Sequence, residues 1–185
     1  SDDVLQLRDL SRSTFYETYA DQNTADDIRI HMQQSFSIEK LTSEIEDPGN
    51  TFFLACIGAQ MIGYAKLRTS KPMPKSQGIT AIELERIYVS KAFQQRNTGD
   101  ALMKACLKHS IDNGYEVLWL GVWERNPHAI AFYEKWGFTI TGKQTFTLGK
   151  DPQSDFVMAL ELKSNSNANS NANASASADA TTNAT

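Results

Sequence analysis

Apolar residues recur with two different spacings along the first part of the chain, and each spacing predicts one kind of element. Apolar positions three and four residues apart predict helices over residues 4–19, 24–34 and 38–46. Continuous or alternating apolar runs predict strands over residues 51–57, 61–67 and 79–89. The first two strands are separated only by Gly58-Ala59, so they should form a hairpin.

The second part of the chain alternates strands with helices. A polar turn after residue 89 leads into a helix that carries Ala101, Leu102, Ala105 and Cys106 on one face. The remaining strands are predicted over residues 115–123, 139–149 and 156–162, the last two as a hairpin around residues 150–152. A strand–helix–strand connection of this kind is parallel and right-handed. The expected fold class is α/β, a mixed central β-sheet of about six to seven strands flanked by helices on both faces.

The composition changes abruptly after residue 163. Residues 164–185 consist of Ser, Asn, Ala and Thr with a single Asp, and such a segment cannot bury a core. We therefore expect one domain over residues 1–163 and a low-complexity tail over residues 164–185.

The charge is unevenly distributed. Residues 1–50 hold 11 Asp and Glu against 4 Lys and Arg, whereas residues 51–163 hold 10 against 14. The total of −4 argues against a general nucleic-acid binder. A basic half suits a polyanionic ligand and an acidic half suits a cationic one, although the asymmetry is also compatible with solubility alone.

Targeting and cysteine patterns favour a cytoplasmic protein. No apolar run is long enough to span a membrane, and the first residues do not resemble a signal peptide. Cys56 and Cys106 lie in apolar patterns, so both are expected to be buried free thiols rather than a disulfide or metal ligands. We predict no metal site.

The turn between the strand 79–89 and the following helix is the first candidate for chemistry. It contains Gln94, Gln95, Arg96, Asn97, Thr98, Gly99 and Asp100. A strand–turn–helix unit points unpaired backbone N–H groups and the positive end of the helix dipole outwards, which suits a phosphate. The turn matches neither a Walker loop nor a dinucleotide fingerprint. An ordinary connection capped by Thr98 or Asn97 is the alternative.

A second motif follows the strand 115–123. Asn126 precedes Pro127, which suits a helix start, and Gly137 stops the helix before Phe138. Together the two motifs resemble the GNAT superfamily of acetyl-CoA-dependent N-acetyltransferases over about residues 4–163. The family's turn reads Q/R-x-x-G-x-G/A, so Asn97 replaces its first glycine. Asn tolerates a left-handed backbone well, so the turn is still expected to form. The strings FYETYADQN, LERIYV and WLGVWERN are most similar to the PaiA-type branch, whose members acetylate polyamines.

The resemblance implies a set of cofactor contacts. Acetyl-CoA would be held at its pyrophosphate by the turn over residues 94–100, with Arg96 adding charge. Its pantetheine would lie along the backbone of Ile87, Tyr88 and Val89, where one N–H would act as an oxyanion donor. The helix after the second motif would contribute Asn126, Ala129, Phe132 and Tyr133.

The resemblance also suggests catalytic roles. Tyr133 would protonate the leaving thiolate, because phenol and thiol pKa values are close enough for proton transfer. Glu85 is the first choice as general base and Glu83 the second, since alternation puts both on one strand face. The alternatives are an aromatic core pair for Tyr133, salt bridges for the glutamates, and deprotonation of the amine in bulk water.

The expected reaction is direct acetyl transfer to a primary amine of a small cationic, polyamine-like substrate. Trp119, Trp123, Tyr16, Tyr19, Phe36 and Tyr64 are candidates for the substrate wall. Two alternatives stay open: a peptide or protein amine as acceptor, and a non-catalytic coenzyme A-binding regulatory module. The resemblance also suggests a homodimer.

Overall fold

A computed structural model describes residues 2–76, 78–94 and 96–162 of the chain. Gln95 and the predicted tail over residues 164–185 lie outside the described residues. The helices are α1 (Asp2–Tyr19), α2 (Ala25–Ser35), α3 (Ile38–Glu46), α4 (Thr98–Asp112) and α5 (Pro127–Lys135). The strands are β1 (Asn50–Ile57), β2 (Gln60–Arg68), β3 (Ala81–Val89), β4 (Val117–Trp123), β5 (Thr139–Leu148) and β6 (Asp151–Glu161).

The sheet confirms the predicted mixed α/β architecture. Within the described residues it has six strands in the order β1-β2-β3-β4-β6-β5. The β3–β4 pair is parallel, as expected for a strand–helix–strand unit, and the other neighbours are antiparallel. No helix in the described ranges is long and apolar enough to cross a membrane.

Alternation along the strands places one helical layer on each face of the sheet. On one face, Leu102, Met103 and Cys106 of α4 pack on Leu67 and Leu84 of the strands, with α5 beside them. On the other face, α1, α2 and α3 pack on β2 and β5 through a second core of buried residues: Leu7, Leu10, Phe15, Ile28, Phe36, Leu41, Met61, Tyr64 and Leu148. The residues of β2 therefore face different layers in turn.

Side-chain caps define where two of the helices begin. The Thr24 hydroxyl accepts from the Asp27 N–H at 3.2 Å before α2, and Ser37 accepts from Lys40 in the same way before α3. Such caps are local sequence features, and the predicted starts of these helices are confirmed to within a residue.

The last strand, β6, begins earlier than predicted. The turn is made by Gly149, with φ +62°, and Lys150, while Asp151 and Pro152 already belong to β6. Pro152 is compatible with the strand because β4 pairs with β6 only from Asp155 onwards, so no neighbour on that side needs its missing N–H. The proline was wrongly interpreted as part of the turn.

The expected burial of Cys56 is also wrong. Cys106 is a buried free thiol as predicted, but Cys56 is exposed. It lies near the end of the edge strand β1, next to a register irregularity between Ala55 and Cys56, where Ile57 is exposed as well.

Candidate active site

The site is built on a separation of two neighbouring strands. Strands β3 and β4 pair only from Ala81–Val117 to Glu83–Trp119. Beyond Glu83, β3 stays paired with β2 up to Val89, and β4 stays paired with β6. The two strands therefore diverge in the middle of the sheet, as the resemblance implied.

A bulge in β3 accounts for the divergence. Leu84 lies opposite Leu67 and Arg86 lies opposite Lys66, so Glu85 is an extra residue without a partner on β2. An extra residue bends its strand and increases the local twist. This bend moves the second half of β3 away from β4.

A cavity of about 880 Å³ fills the opening, which is within the usual range for small-molecule sites. It is walled by α1 and α2 on one side, by the ends of β3 and β4, and by the start of α5. The predicted site residues on its wall are Glu83, Glu85, Ile87, Tyr88, Val89, Gln94, Gly99, Asn126, Ala129, Phe132 and Tyr133. Arg96, Asn97, Thr98 and Asp100 lie at the start of α4 rather than on the wall.

The start of α4 has the backbone conformation that the sequence predicted. Asn97 is left-handed, with φ +58°, and its C=O accepts from the Ala101 N–H at 2.9 Å. The first N–H groups of a helix have no intrahelical acceptor and favour an anion. The Asp100 carboxylate is turned away to Lys135 at 3.2 Å and to the Trp136 indole at 3.1 Å. The turn thus fits a pyrophosphate through its backbone.

The free edge of β3 fits an extended chain such as pantetheine. Ile87 and Val89 pair with β2 on one edge only, so the other edge has no strand partner within the described residues. Backbone N–H and C=O groups alternate between the two edges of a strand. Gln94 Nε2 donates to the Val89 carbonyl at 3.2 Å, at the end of this edge.

Asn126 is the N-cap of α5. Its side-chain oxygen accepts from the Ala129 N–H at 3.1 Å, with Pro127 in the first turn. This bond uses the oxygen and not the Nδ2 amide, so capping is compatible with a contact to a ligand in the cavity.

Tyr133 lies about two helical turns further along α5. Its ring contacts Phe132 and Phe138 with centroid distances of 5.5 and 5.8 Å. Burial raises the pKa of Tyr133, and the neighbouring Tyr19 and Cys106 add to the rise. The hydroxyl is therefore protonated at neutral pH, although the raised pKa makes it a weaker acid than an ordinary phenol. Tyr133 is at the same time part of an aromatic cluster.

Glu83 and Glu85 share a face, as predicted, but both are held by cations. Arg68 bridges the two carboxylates, with 2.8 Å to Glu85. Lys66 lies 2.5 Å from Glu85, and Arg86 is close to it at 3.8 Å. Burial alone would raise the pKa of Glu85, but Arg86, Lys66 and Arg68 together hold it below its ordinary value. A carboxylate in this state is a weak base, which argues against the base role and favours the salt-bridge alternative.

Only some of the aromatic residues predicted for the substrate wall line the cavity. Tyr19, Trp123 and Phe36 line the cavity, and Tyr19 contacts Trp123 with ring centroids 5.5 Å apart. Tyr16 is exposed instead, while Trp119 and Tyr64 are completely buried and do not line the cavity. A shift of one residue along a strand, or of one turn along a helix, decides whether an aromatic side chain faces the cavity, the core or solvent. The spacing of aromatic residues in the sequence did not distinguish these three cases.

Asp155 is a cavity residue that sequence reasoning missed. It lies in β6 opposite Trp123 and is only 7% exposed. Burial raises its pKa to about 6, with Glu124 adding to the rise and Lys71 opposing it. The sequence placed Asp155 in the loop around residues 150–152, where a carboxylate needs no explanation. Its position directly before the apolar run from Phe156 was the signal available.

Comparisons with known proteins agree with this geometry. The sequence profile of the Acetyltransferase (GNAT) family matches residues 4–138. An uncharacterized N-acetyltransferase from the pepI 3' region of Lactobacillus delbrueckii subsp. lactis is 33% identical over 156 residues, covering 84% of this chain and 90% of that protein. The spermine/spermidine N(1)-acetyltransferase of Bacillus subtilis (strain 168) is 23% identical over 125 residues, covering 65% and 82%.

Among solved structures, the PaiA N-acetyltransferase of Thermoplasma acidophilum in complex with coenzyme A superposes with a TM-score of 0.73. The match covers 86% of this chain and 93% of that one at 22% identity, so it supports the fold. On the family match and the relative at 33% identity, the chain belongs to the Acetyltransferase (GNAT) family and is an N-acetyltransferase that uses acetyl-CoA.

Proposed function

We propose that the protein transfers an acetyl group from acetyl-CoA directly to a primary amine of a small cationic, polyamine-like substrate such as spermidine or spermine. The observation that supports this class of acceptor is the set of side chains on the α1 side of the cavity. The rings of Tyr19 and Trp123 line the cavity there together with the carboxylates of Glu17 and Asp155. Neither carboxylate forms an ion pair within the described residues. Aromatic faces and free carboxylates suit ammonium groups linked by methylene chains.

Two further observations support this acceptor class. The helices over this side of the cavity belong to residues 1–50, which carry the excess of acidic residues. The named functions of the Bacillus subtilis relative and the Thermoplasma acidophilum structure point to the same branch of the family.

The positions of the described residues, and for Gln95 the resemblance to the family, support the following contacts to the cosubstrate. Acetyl-CoA supplies the acetyl group as a thioester and leaves as a thiol. The first turn of α4 at Thr98, Gly99 and Asp100 would hold its pyrophosphate through N–H groups, together with Gln95, Arg96 and Asn97. The free edge of β3 at Ile87, Tyr88 and Val89 would bind the extended arm and donate an N–H to the acetyl oxygen.

The remaining wall residues complete the proposed site. Gln94, Asn126, Ala129 and Phe132 would enclose the arm, and Tyr133 would give its proton to the departing sulfur. Glu83 and Glu85 would keep β3 in its bent conformation through their ion pairs with Arg68 and Lys66.

The test is a thiol-release assay with purified protein, acetyl-CoA and a panel of amines, with the acetylated product identified by mass spectrometry. Spermidine and spermine should be acetylated with a higher kcat/KM than n-butylamine, which has the same kind of reacting amine but no second charge. Acetylation of a peptide amine in preference to polyamines would overturn the acceptor class. Binding of coenzyme A without turnover of any amine would favour a regulatory module.

We further infer a cytoplasmic homodimer that binds neither nucleic acid nor membrane. The exposed apolar side chains of Leu54 and Ile57 on the edge strand β1 support an association through this edge. Light scattering after size-exclusion chromatography should give twice the monomer mass, and charged substitutions at both positions should give monomers.

A further inference from the structure

The carboxylate of Asp155 lies beside the half of β4 that has separated from β3. Gly121 is the second residue of β4 beyond Trp119, the last residue paired with β3. A Cβ atom at Gly121 would lie 3.3 Å from Asp155 Oδ2 and would overlap the amide of Gln144. The glycine therefore leaves room for both side chains over β4, where the cavity lies.

Asp155 differs from the two glutamates of β3 on the cavity wall in its partners. Glu83 is paired with Arg68 and Lys71, and Glu85 with Lys66 and Arg68. Within residues 2–76, 78–94 and 96–162, Asp155 forms no ion pair, and its Oδ1 is buried without a hydrogen-bond partner. A buried carboxylate without a partner is costly, so it persists where it has a use.

The nearby cation is held elsewhere. Lys71, in the loop after β2, lies 3.4 Å from Glu83 and 3.3 Å from the Gln144 oxygen, and its ammonium sits 5.2 Å from the Trp119 ring centroid. These contacts keep Lys71 close enough to Asp155 to favour its charged form but not bonded to it. The Asp155 carboxylate can therefore pair with a cation that enters the cavity.

We propose that Asp155 binds the ammonium group of the acceptor and takes its proton before the amine attacks the acetyl carbon. This inference rests on the proposed function, because it requires a charged amine as acceptor. The first N–H bond breaks with its proton going to Asp155, and the nitrogen lone pair then forms the N–C bond. The C–S bond then breaks, and the sulfur takes the hydroxyl proton of Tyr133. The nitrogen, which now carries the acetyl group, loses its second proton to the Tyr133 oxygen, directly or through water. Asp155 passes its own proton to solvent.

The protonation behaviour of the surroundings agrees with this role. Burial raises the pKa of Asp155 to about 6, and the charged groups that act on it are Lys71 from the loop after β2 and Glu124 directly after β4. Tyr19 on α1 is neutral, with its pKa raised to about 12 by burial and by Asp155. His31, which also lies on the wall, has its pKa lowered to about 4 by burial and by Arg86, which makes it a weaker base than Asp155.

The experiment compares wild type, Asp155→Asn and the control Glu124→Gln with spermidine. Glu124 is a neighbouring carboxylate, but it pairs with Lys143 at 2.8 Å and does not line the cavity. For Asp155→Asn we expect kcat at pH 7 to fall roughly 10²–10⁴-fold, while Glu124→Gln keeps it within about twofold. The deficit of Asp155→Asn should shrink as the pH rises towards about 10, where the amine loses its proton unaided.

A binding measurement separates this role from a purely structural one. Calorimetry of spermidine with the coenzyme A complex at pH 6, in buffers of different ionisation enthalpy, should show proton release for wild type and none for Asp155→Asn. Coenzyme A affinity and Tm should be unchanged or higher in the variant, since it removes an unpaired buried charge. Asp155→Ser serves as second variant if Asn fails to fold.

The two proposals fail in different ways. If wild type acetylates another primary amine and no polyamine, the acceptor class is wrong, and the same variants are compared on that amine. If a folded Asp155→Asn keeps kcat within about threefold of wild type at pH 7, with the same pH profile, the role of Asp155 is overturned.

Discussion

In the turn before α4, Asn97 shows how an asparagine can take the place of a glycine. Asn97 stands where the resemblance to the family implies a glycine, and it adopts the left-handed conformation with φ +58°. Asn enters this region at a lower cost than any other side chain apart from glycine, because its short polar group can bond locally. The substitution therefore preserves the shape of the turn that presents the N–H groups of α4.

Substitution of Asn97 should accordingly depend on backbone freedom and not on side-chain chemistry. We expect Asn97→Gly to bind coenzyme A as well as wild type or better. Asn97→Val should bind roughly 10-fold more weakly, because a β-branched residue costs about 1–3 kcal/mol in the left-handed region. Calorimetry with coenzyme A measures both. Equal loss in the two variants would show that the Asn side chain itself contacts the ligand.

Removal of the Tyr133 hydroxyl should affect the chemical step alone. For Tyr133→Phe we expect kcat to fall roughly 10²–10⁴-fold with coenzyme A affinity nearly unchanged, because the ring still packs on Phe132 and Phe138. Steady-state kinetics and calorimetry provide the two numbers. Phe132→Leu is the control for a packing effect. An unchanged kcat in Tyr133→Phe would exclude the hydroxyl from the mechanism.

Among the helices and strands, boundaries set by local side chains were predicted correctly, whereas a boundary set by a distant strand was not. Caps and turn residues act within one helical turn, so the starts of α2, α3 and α5 follow from a few neighbouring side chains. The start of β6 depended instead on which strand lies beside it, and the sequence does not contain that information in any short window. Proline was a misleading signal there.

The cap of α5 gives a prediction that combines stability and binding. Asn126→Ala removes the 3.1 Å bond to the Ala129 N–H and should cost about 0.5–2 kcal/mol of unfolding free energy. Asn126→Asp keeps a capping oxygen but removes the Nδ2 donor. If the amide also contacts coenzyme A, both variants bind it more weakly, whereas only Asn126→Ala is less stable. Urea unfolding and calorimetry distinguish the two roles, and normal binding by Asn126→Asp would leave the cap role alone.

The molecule as a whole is held at the bulge by a buried ion network. Lys66 is 2% exposed and lies 3.0 Å from Glu44 on α3 and 2.5 Å from Glu85 on β3. Arg86 binds both oxygens of Glu44, at 2.8 and 3.1 Å. Burial alone would raise the pKa of Glu44, but Arg86 and Lys66 lower it below its ordinary value. The network joins α3, β2 and β3 and supports the bent segment that borders the cavity.

Breaking this network at its centre should destabilise the fold. We expect Lys66→Met to lower the unfolding free energy by about 3 kcal/mol, since it leaves buried carboxylates short of a partner. Lys40→Met is the control: Lys40 pairs with the same Glu44 at 3.3 Å, but its side chain is 51% exposed, so the loss should stay below about 1 kcal/mol. Urea unfolding measures both. Equal small effects would mean that Arg86 and Arg68 suffice to balance the carboxylates.

Periodicity, caps and the two motifs were enough to determine the α/β fold, the central turn and part of the cavity wall, because these signals lie in residues close together in the chain. Tertiary structure decided what depends on residues far apart. It joined Glu85 to Lys66 and Arg68 on another strand, buried Trp119 while leaving Tyr16 exposed, and brought Asp155 from β6 to Gly121 of β4. A carboxylate becomes a base or a salt-bridge partner according to which cations surround it, and those neighbours come together only when the sheet is complete.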